Sequence, residues 1–199
     1  GGSIPYSYMW SPLSQTTDSI GGLPAGFYDV TITDINGCAL LDTITVTEPD
    51  TLVSLITSIQ FFGDVNVRCF GDSSGTVSAQ VTGGTPPYNF FWSTGSGNDT
   101  IFNLPAGAVE VSVSDINGCS ILGSTTLVQP NPFAYAPVIQ QPKSFGDSSG
   151  YVILNTSGSV APYTYLWSNG ATTDSCGHLT SGTVYAIVTD VNNCTDSVG

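Results

Sequence analysis

The chain repeats itself, and that repetition constrains its fold more than any single residue. A Trp-Ser pair follows a Pro-Tyr pair three times: Pro5-Tyr6 with Trp10-Ser11, Pro87-Tyr88 with Trp92-Ser93, and Pro162-Tyr163 with Trp167-Ser168. A turn stretch comes next, Leu23-Pro24-Ala25-Gly26 and Leu104-Pro105-Ala106-Gly107, which degenerates to Leu179-Thr180-Ser181-Gly182. Each copy then reaches an acidic turn and a cysteine: Asp34-Ile35-Asn36-Gly37-Cys38, Asp115-Ile116-Asn117-Gly118-Cys119 and Asp190-Val191-Asn192-Asn193-Cys194. Successive cysteines of this set lie 81 and 75 residues apart. That period is too long for a solenoid coil and suits a tandem array of small domains.

Self-alignment pairs Gly1-Gly2-Ser3-Ile4-Pro5-Tyr6 with Gly83-Gly84-Thr85-Pro86-Pro87-Tyr88, so the first copy has no counterpart of 51–82. The third stops soon after its acidic turn, and the whole reads as a window of a longer protein. Glu48-Pro49 and Gln129-Pro130 close equivalent strands. Proline there ends sheet pairing and stiffens a short linker. The expected division is therefore 1–50, the C-terminal part of one repeat; 51–130, a complete repeat; and 131–199, a repeat lacking its final strand.

Within the complete copy, Gly75–Val81 alternates Val77, Ala79 and Val81 with polar residues, the mark of a half-buried strand. Tyr88–Trp92 and Ala108–Ser114 alternate likewise, and Cys119–Val128 returns after the acidic turn. A first strand is expected within Thr51–Gln60 and a short one near Thr100–Asn103. Six or seven short strands in about 80 residues, with no helical period, predict an all-β fold of antiparallel β-sandwiches. The aromatic trios Tyr6/Tyr8/Trp10, Tyr88/Phe90/Trp92 and Tyr163/Tyr165/Trp167 are expected to face the core, the alternative being a sugar-stacking platform.

Charge narrows the partners. Arg68 and Lys143 are the only basic side chains among 199 residues, against 15 acidic ones, giving a net charge of −13. Nucleic acid and anionic membrane surfaces both demand basic patches, so neither is expected as a partner. No apolar run is long enough to cross a bilayer. Charged residues are only 9% of the chain and hydrophobic ones 40%, which excludes an acidic disordered tail.

Five cysteines suggest an oxidising, extracytoplasmic setting. The expected bridges are Cys69–Cys119 within the complete copy and Cys176–Cys194 within the third. The third copy has Ser144 in place of Cys69 and gains Cys176 where the others have Ile20 and Ile101. Closing a loop of about 50 residues stabilises by roughly 4 kcal/mol in the chain-entropy model. Cys38 is expected to pair with a residue upstream of Gly1.

No catalytic, cofactor or metal site is expected. Gly71-Asp72-Ser73-Ser74-Gly75 and Gly146-Asp147-Ser148-Ser149-Gly150 resemble a serine nucleophile loop, but the complete copy has no histidine to serve as base. Asp72 and Asp147 are read as turn residues bonding local amides, and His178 as a surface loop residue. Asp34 with Asn36, and Asp115 with Asn117, supply too few oxygens for calcium by themselves, and an Asx-type turn explains them. Eight of the thirteen aspartates precede Ser or Thr, although those residues form about a quarter of the chain.

Gly83-Gly84-Thr85-Pro86-Pro87-Tyr88, Trp92-Ser93, Leu104-Pro105-Ala106-Gly107, Asp115-Ile116-Asn117-Gly118-Cys119 and the upstream Cys69-Phe70-Gly71-Asp72 together resemble the SprB-type repeat of Bacteroidota surface proteins, gliding-motility adhesins included. The resemblance covers essentially the whole chain. It implies tandem Ig-like or PKD-like sandwiches, export by the type IX system, and an extracellular, cell-surface role in adhesion or filament formation. In that phylum Asp-Ser/Thr-aliphatic is an O-glycosylation signal, so the resemblance makes Ser19, Thr43, Thr51, Thr100 and Ser197 candidate glycan sites. The expected function is a non-enzymatic stalk or fibre segment whose partners are neighbouring repeats, identical chains in a filament and covalent glycans. A multivalent carbohydrate-binding array, with surface polysaccharide as ligand, is the alternative. An accessory region of a secreted enzyme is a third reading and would require a catalytic domain elsewhere.

Overall fold

A computed structural model describes residues 2–199. The described residues form strands joined by turns and irregular stretches, with no helix among them. The chain divides into two compact units, one running to Thr51 and the other Leu52–Gly199.

The first unit is one antiparallel sheet of β1 (Ser7–Ser11), β2 (Gly26–Thr33) and β3 (Ala39–Val46), in that order. Trp10, Tyr28 and Val30 are buried on one face against Tyr8, Ile20, Leu23, Ile32 and Val46.

The second unit holds two sandwiches. One is made of β4 (Val53–Ser58), β5 (Gly75–Thr82), β6 (Asn89–Trp92), β7 (Thr100–Leu104), β8 (Gly107–Ser114) and β9 (Ser120–Leu127). Its sheets run β4-β5-β7 and β6-β8-β9, all antiparallel, so the chain switches sheets on entering and leaving β6. The other repeats this plan with β10 (Ala134–Gln140), β11 (Gly150–Ser157), β12 (Thr164–Trp167), β13 (Ser175–Leu179), β14 (Ala186–Thr189) and β15 (Thr195–Val198), in sheets β10-β11-β13 and β12-β14-β15. An Ig-like sandwich puts a tryptophan on its third strand, and Trp92 and Trp167 occupy that place on β6 and β12.

Alternation predicts the core correctly. Val77 and Ala79 from β5 meet Val109, Val111 and Val113 from β8 around Trp92, which is fully buried. Each tryptophan Nε1 donates to a carbonyl in the following turn: Trp10 to Thr17 at 2.9 Å, Trp92 to Asn98 at 2.7 Å and Trp167 to Thr173 at 2.8 Å. The indole thus fills the core and closes its own turn, since a buried N–H needs a partner. Gly75 is required by packing alone: a Cβ there would lie 2.7 Å from Leu127 Cδ1 and 2.8 Å from the Leu104 carbonyl oxygen.

The pairing of cysteines differs from the expectation. The disulfide is Cys69–Cys194, with a Cα–Cα distance of 5.6 Å and a sequence separation of 125. Cys38, Cys119 and Cys176 are free. Cys69 cannot reach Cys119 because the two lie at opposite ends of β9. Val67 donates to the Val128 carbonyl at 3.0 Å, just past the end of β9, whereas Cys119 precedes its first residue. Eight strand residues span roughly 26 Å, far beyond the 4.4–6.8 Å that a disulfide needs between Cα atoms. Cys176 is not a partner of Cys194 either. It sits on β13 with its side chain in the third-copy core, 1% exposed, where Ile101 sits in the second. It packs there as a small apolar side chain.

Candidate interaction site at the repeat junction

The disulfide marks a clamp between the two sandwiches of the second unit. Its donor half is the irregular segment 59–69 after β4. Phe61 and Val65 form a bridge that closes a tight loop, with Gly63 at φ +82° and Asp64 at φ +56°. Val65, Asn66 and Val67 are buried and tie the loop to the end of β9. Asn66 and Val67 N–H donate to the Val128 carbonyl at 2.8 and 3.0 Å, and Val128 N–H returns to Asn66 Oδ1 at 3.1 Å. Asn66 Nδ2 donates to Ser58 Oγ at 3.0 Å. The loop is thereby fixed on its own sandwich and presents Phe62, Gly63 and Cys69 outward.

The receptor half is the acidic hairpin turn between β14 and β15. Asp190 Oδ1 accepts the Cys194 N–H at 2.8 Å, and its Oδ2 accepts from Val160 N–H at 3.2 Å and from Ser159 Oγ. Asn192, 5% exposed, meets the loop in a reciprocal pair: Phe62 N–H donates to its Oδ1 at 3.2 Å, and its Nδ2 donates to the Phe62 carbonyl at 3.0 Å. A Cβ on Gly63 would stand 2.8 Å from Val160 Cγ1, so glycine is demanded there by contact as well as by its left-handed backbone. Contact, amide pair and covalent bond together make one joint between β-rich cores.

Sequence reasoning missed Asn192 and the Phe62-Gly63 pair, reading the first as part of an acidic turn and giving the second no role. One signal was present. The third copy has Ser144 in place of Cys69 yet keeps Cys194, so pairing the first cysteine of one copy with the last of the next leaves neither Cys69 nor Cys194 stranded.

Asp34 Oδ1 accepts from Asn36 and Cys38 N–H at 2.9 and 2.8 Å, and Asp115 Oδ1 from Asn117 and Cys119 N–H at 3.0 and 2.9 Å. Their Oδ2 atoms accept from Ser3 N–H at 3.2 Å and Thr85 N–H at 2.9 Å. These amides, Ser3 foremost for Asp34 and Thr85 foremost for Asp115, hold both carboxyls below the usual aspartate range. The carboxylates are thus spent on backbone amides of their own turns and of Ser3 and Thr85, and the described residues contain no metal-ligating cluster. Asp147 closes the Gly146–Gly150 turn through Ser149 and Lys143 N–H, and its carboxyl too lies low, chiefly from the Ser149 hydroxyl. Asp72 accepts from Ser73 N–H at 2.7 Å. His178 lies exposed on β13 at φ +57°, the same conformation as Asn103 at the matching place on β7.

The second and third aromatic trios point inward, as do Tyr8 and Trp10 of the first, whereas Tyr6 is exposed. Tyr88 and Phe90 pack beside Trp92, and Tyr163 and Tyr165 beside Trp167, while Phe91 and Leu166 face outward. Tyr6 and Tyr88 hydroxyls donate to the Gly2 and Gly83 carbonyls at 2.8 and 2.6 Å. The rings packed inward are therefore core and not free for stacking sugar, while Tyr6 and Phe91 remain exposed. A cleft in the third copy, bordered by Gly150, Leu154, Trp167, Leu179 and Val198, falls where Leu127 packs against Gly75 in the second.

Of the glycan candidates, Ser19, Thr43, Thr51 and Ser197 are exposed. Thr43 Oγ1 donates to Asp29 Oδ1 at 2.7 Å. Thr100 is half-buried, its Oγ1 3.1 Å from Ser78 Oγ.

Fold and joint define a class: an array of Ig-like β-sandwiches, clamped copy to copy in the second unit. The family model described as the SprB repeat matches residues 65–97 and 138–172. Two segments of the chain are therefore similar to the SprB repeat, a repeat of Bacteroidota surface-protein type. Both matched segments include the strand bearing the buried tryptophan. A search of curated proteins finds no match. No helix among the described residues is long and apolar enough to cross a membrane.

Proposed function

We propose that this chain is a non-enzymatic, load-bearing segment of an extracellular surface stalk or fibre. The observation that carries the reading is the position of the disulfide in the chain path. Cys69 follows β4 and Cys194 precedes β15, so ten strands, β5 to β14, lie inside one covalent loop of sequence separation 125. Tension applied between Leu52 and Gly199 enters β4, crosses the sulfur bridge and leaves through β15. The strands between carry none of it. Two cores are thus shielded by one bond, which only an oxidising compartment preserves.

The fixed joint supports the same reading, because a stalk must resist bending as well as stretching. The exposed hydroxyls of Ser19, Thr43, Thr51 and Ser197 are the O-glycan sites this reading favours, with Thr100 disfavoured by its burial and its contact with Ser78. Intact-mass and peptide measurements on native material test that assignment.

Single-molecule stretching tests the mechanical role. With the bond intact, the second unit should extend only by the segments outside the loop. Reduction should release a further length of roughly 410–450 Å, the span of 125 extended residues. An extension unchanged by reductant would overturn the proposal.

A further inference from the structure

The joint that holds the third copy has an unoccupied twin on the second. In both, an aspartate Oδ1 accepts the cysteine N–H, at 2.8 Å for Asp190–Cys194 and 2.9 Å for Asp115–Cys119. The residue after the aspartate donates back to the same partner position, Val191 to the Val160 carbonyl at 3.2 Å and Ile116 to the Thr85 carbonyl at 3.1 Å. Thr85, Ile116, Asn117 and Cys119 therefore reproduce Val160, Val191, Asn192 and Cys194 in backbone terms. What differs is cover, together with Asn117 Nδ2, which donates to Thr85 Oγ1 at 3.0 Å and must turn to the incoming carbonyl on docking. Asn192 and Cys194 are each 5% exposed beneath the 59–69 loop, whereas Asn117 and Cys119 are exposed and Ile116 is 61% exposed.

We propose that the Thr85/Ile116/Asn117/Cys119 face is a docking site for a second loop of the 59–69 type, carried by another repeat of this kind, which it captures with an amide pair and a disulfide. The occupant is specified by the occupied joint. It must offer a free backbone N–H and C=O at the Phe62 position to the Asn117 amide. It must carry glycine at the Gly63 position, to pass the Thr85 side, and cysteine at the Cys69 position to meet Cys119. Closure oxidises two thiols to one disulfide, with two electrons and two protons passing to a disulfide oxidant of the exporting compartment, such as oxidised glutathione in vitro. The polarity is fixed: the loop of one repeat reaches the acidic turn of the next. Repeats joined in this way form a ladder in which every disulfide spans a junction, and Ser144, in place of Cys69, interrupts it at the third copy. The inference rests on the geometry of the joint and not on the mechanical role proposed above.

A chain in which residues 51–130 occur twice in succession, otherwise complete, tests it. Refolded in a glutathione redox buffer and digested without reduction, the chain with Cys119→Ser in the first duplicate should yield a peptide linking Cys69 to Cys119. The chain with Cys119→Ser in the second duplicate should not. Both should retain the Cys69–Cys194 link, which reports that the unit has folded. Asn117→Ala in the second duplicate should lower the linked fraction in competition with glutathione. The proposal is overturned if the second duplicate's Cys119 ends as a glutathione adduct or free thiol while the Cys69–Cys194 link forms. It is equally overturned if the Cys69–Cys119 link appears only when both residues belong to the same duplicate.

Discussion

At the junction, one small side chain and one absent one do the recognition. Asn192 is buried, and its amide answers both the N–H and the C=O of Phe62. Asn192→Ala would strand those backbone groups, at about 1–3 kcal/mol for buried polar atoms left unpaired. Gly63→Ala adds a Cβ at a left-handed backbone and 2.8 Å from Val160 Cγ1, costing about 1–2 kcal/mol from backbone conformation alone. Either change should leave the Trp92 and Trp167 cores formed, because neither residue belongs to them. The expected outcome is near-native tryptophan fluorescence with a lowered fraction of Cys69–Cys194 link at a fixed glutathione ratio. The sequence could not announce this. Asn192 and Asn117 look identical as letters, and only the loop of another copy distinguishes a covered amide from an exposed one.

At the scale of elements, the hairpin turns carry a pH signature. The carboxyls of Asp34, Asp115 and Asp147 are held below the ordinary aspartate range by hydrogen bonds, foremost from Ser3 N–H, Thr85 N–H and the Ser149 hydroxyl respectively. The unfolded chain, with a pKa of about 3.9, therefore binds these protons more readily than the folded one. Their stabilising effect is complete above that value and is lost as pH falls through the lower folded values. Denaturant midpoints should be flat from neutral pH to about 5 and fall below about 4. Asp115→Asn should be less stable at neutral pH yet show a shallower acid decline, measured by urea titration across the same range. Strands and turns were the legible part of the sequence, because period-two alternation and Asp-Ile-Asn-Gly turns are local signals. The strand expected within Thr51–Gln60 is Val53–Ser58, and the rest of that stretch bends into the docking loop. Its ends were hidden because Asn66 binds Val128, a partner 62 residues away.

For the molecule as a whole, the question is which cysteines hold it together. Pairing within copies was the natural expectation from sequence, since self-contained domains usually close their own loops. It failed because β9 separates Cys69 from Cys119 by its full length, a fact of strand direction that spacing does not encode. A bond across 125 residues stabilises the folded unit by about 5 kcal/mol in the chain-entropy model. Cys69→Ser and Cys194→Ser should therefore each lower the stability of the second unit by a similar amount, and the double variant by no more than either, as for two partners of one interaction. Cys119→Ser, exposed and free, should stay within about 0.5 kcal/mol of the parent chain. Cys176→Ser should destabilise independently of the others, because it puts a hydroxyl into the third-copy core. Denaturant titrations of the five chains under oxidising conditions separate the two pairings cleanly: a bridge within the second copy requires Cys119→Ser to match Cys69→Ser, whereas the bridge across the junction requires Cys194→Ser to match it.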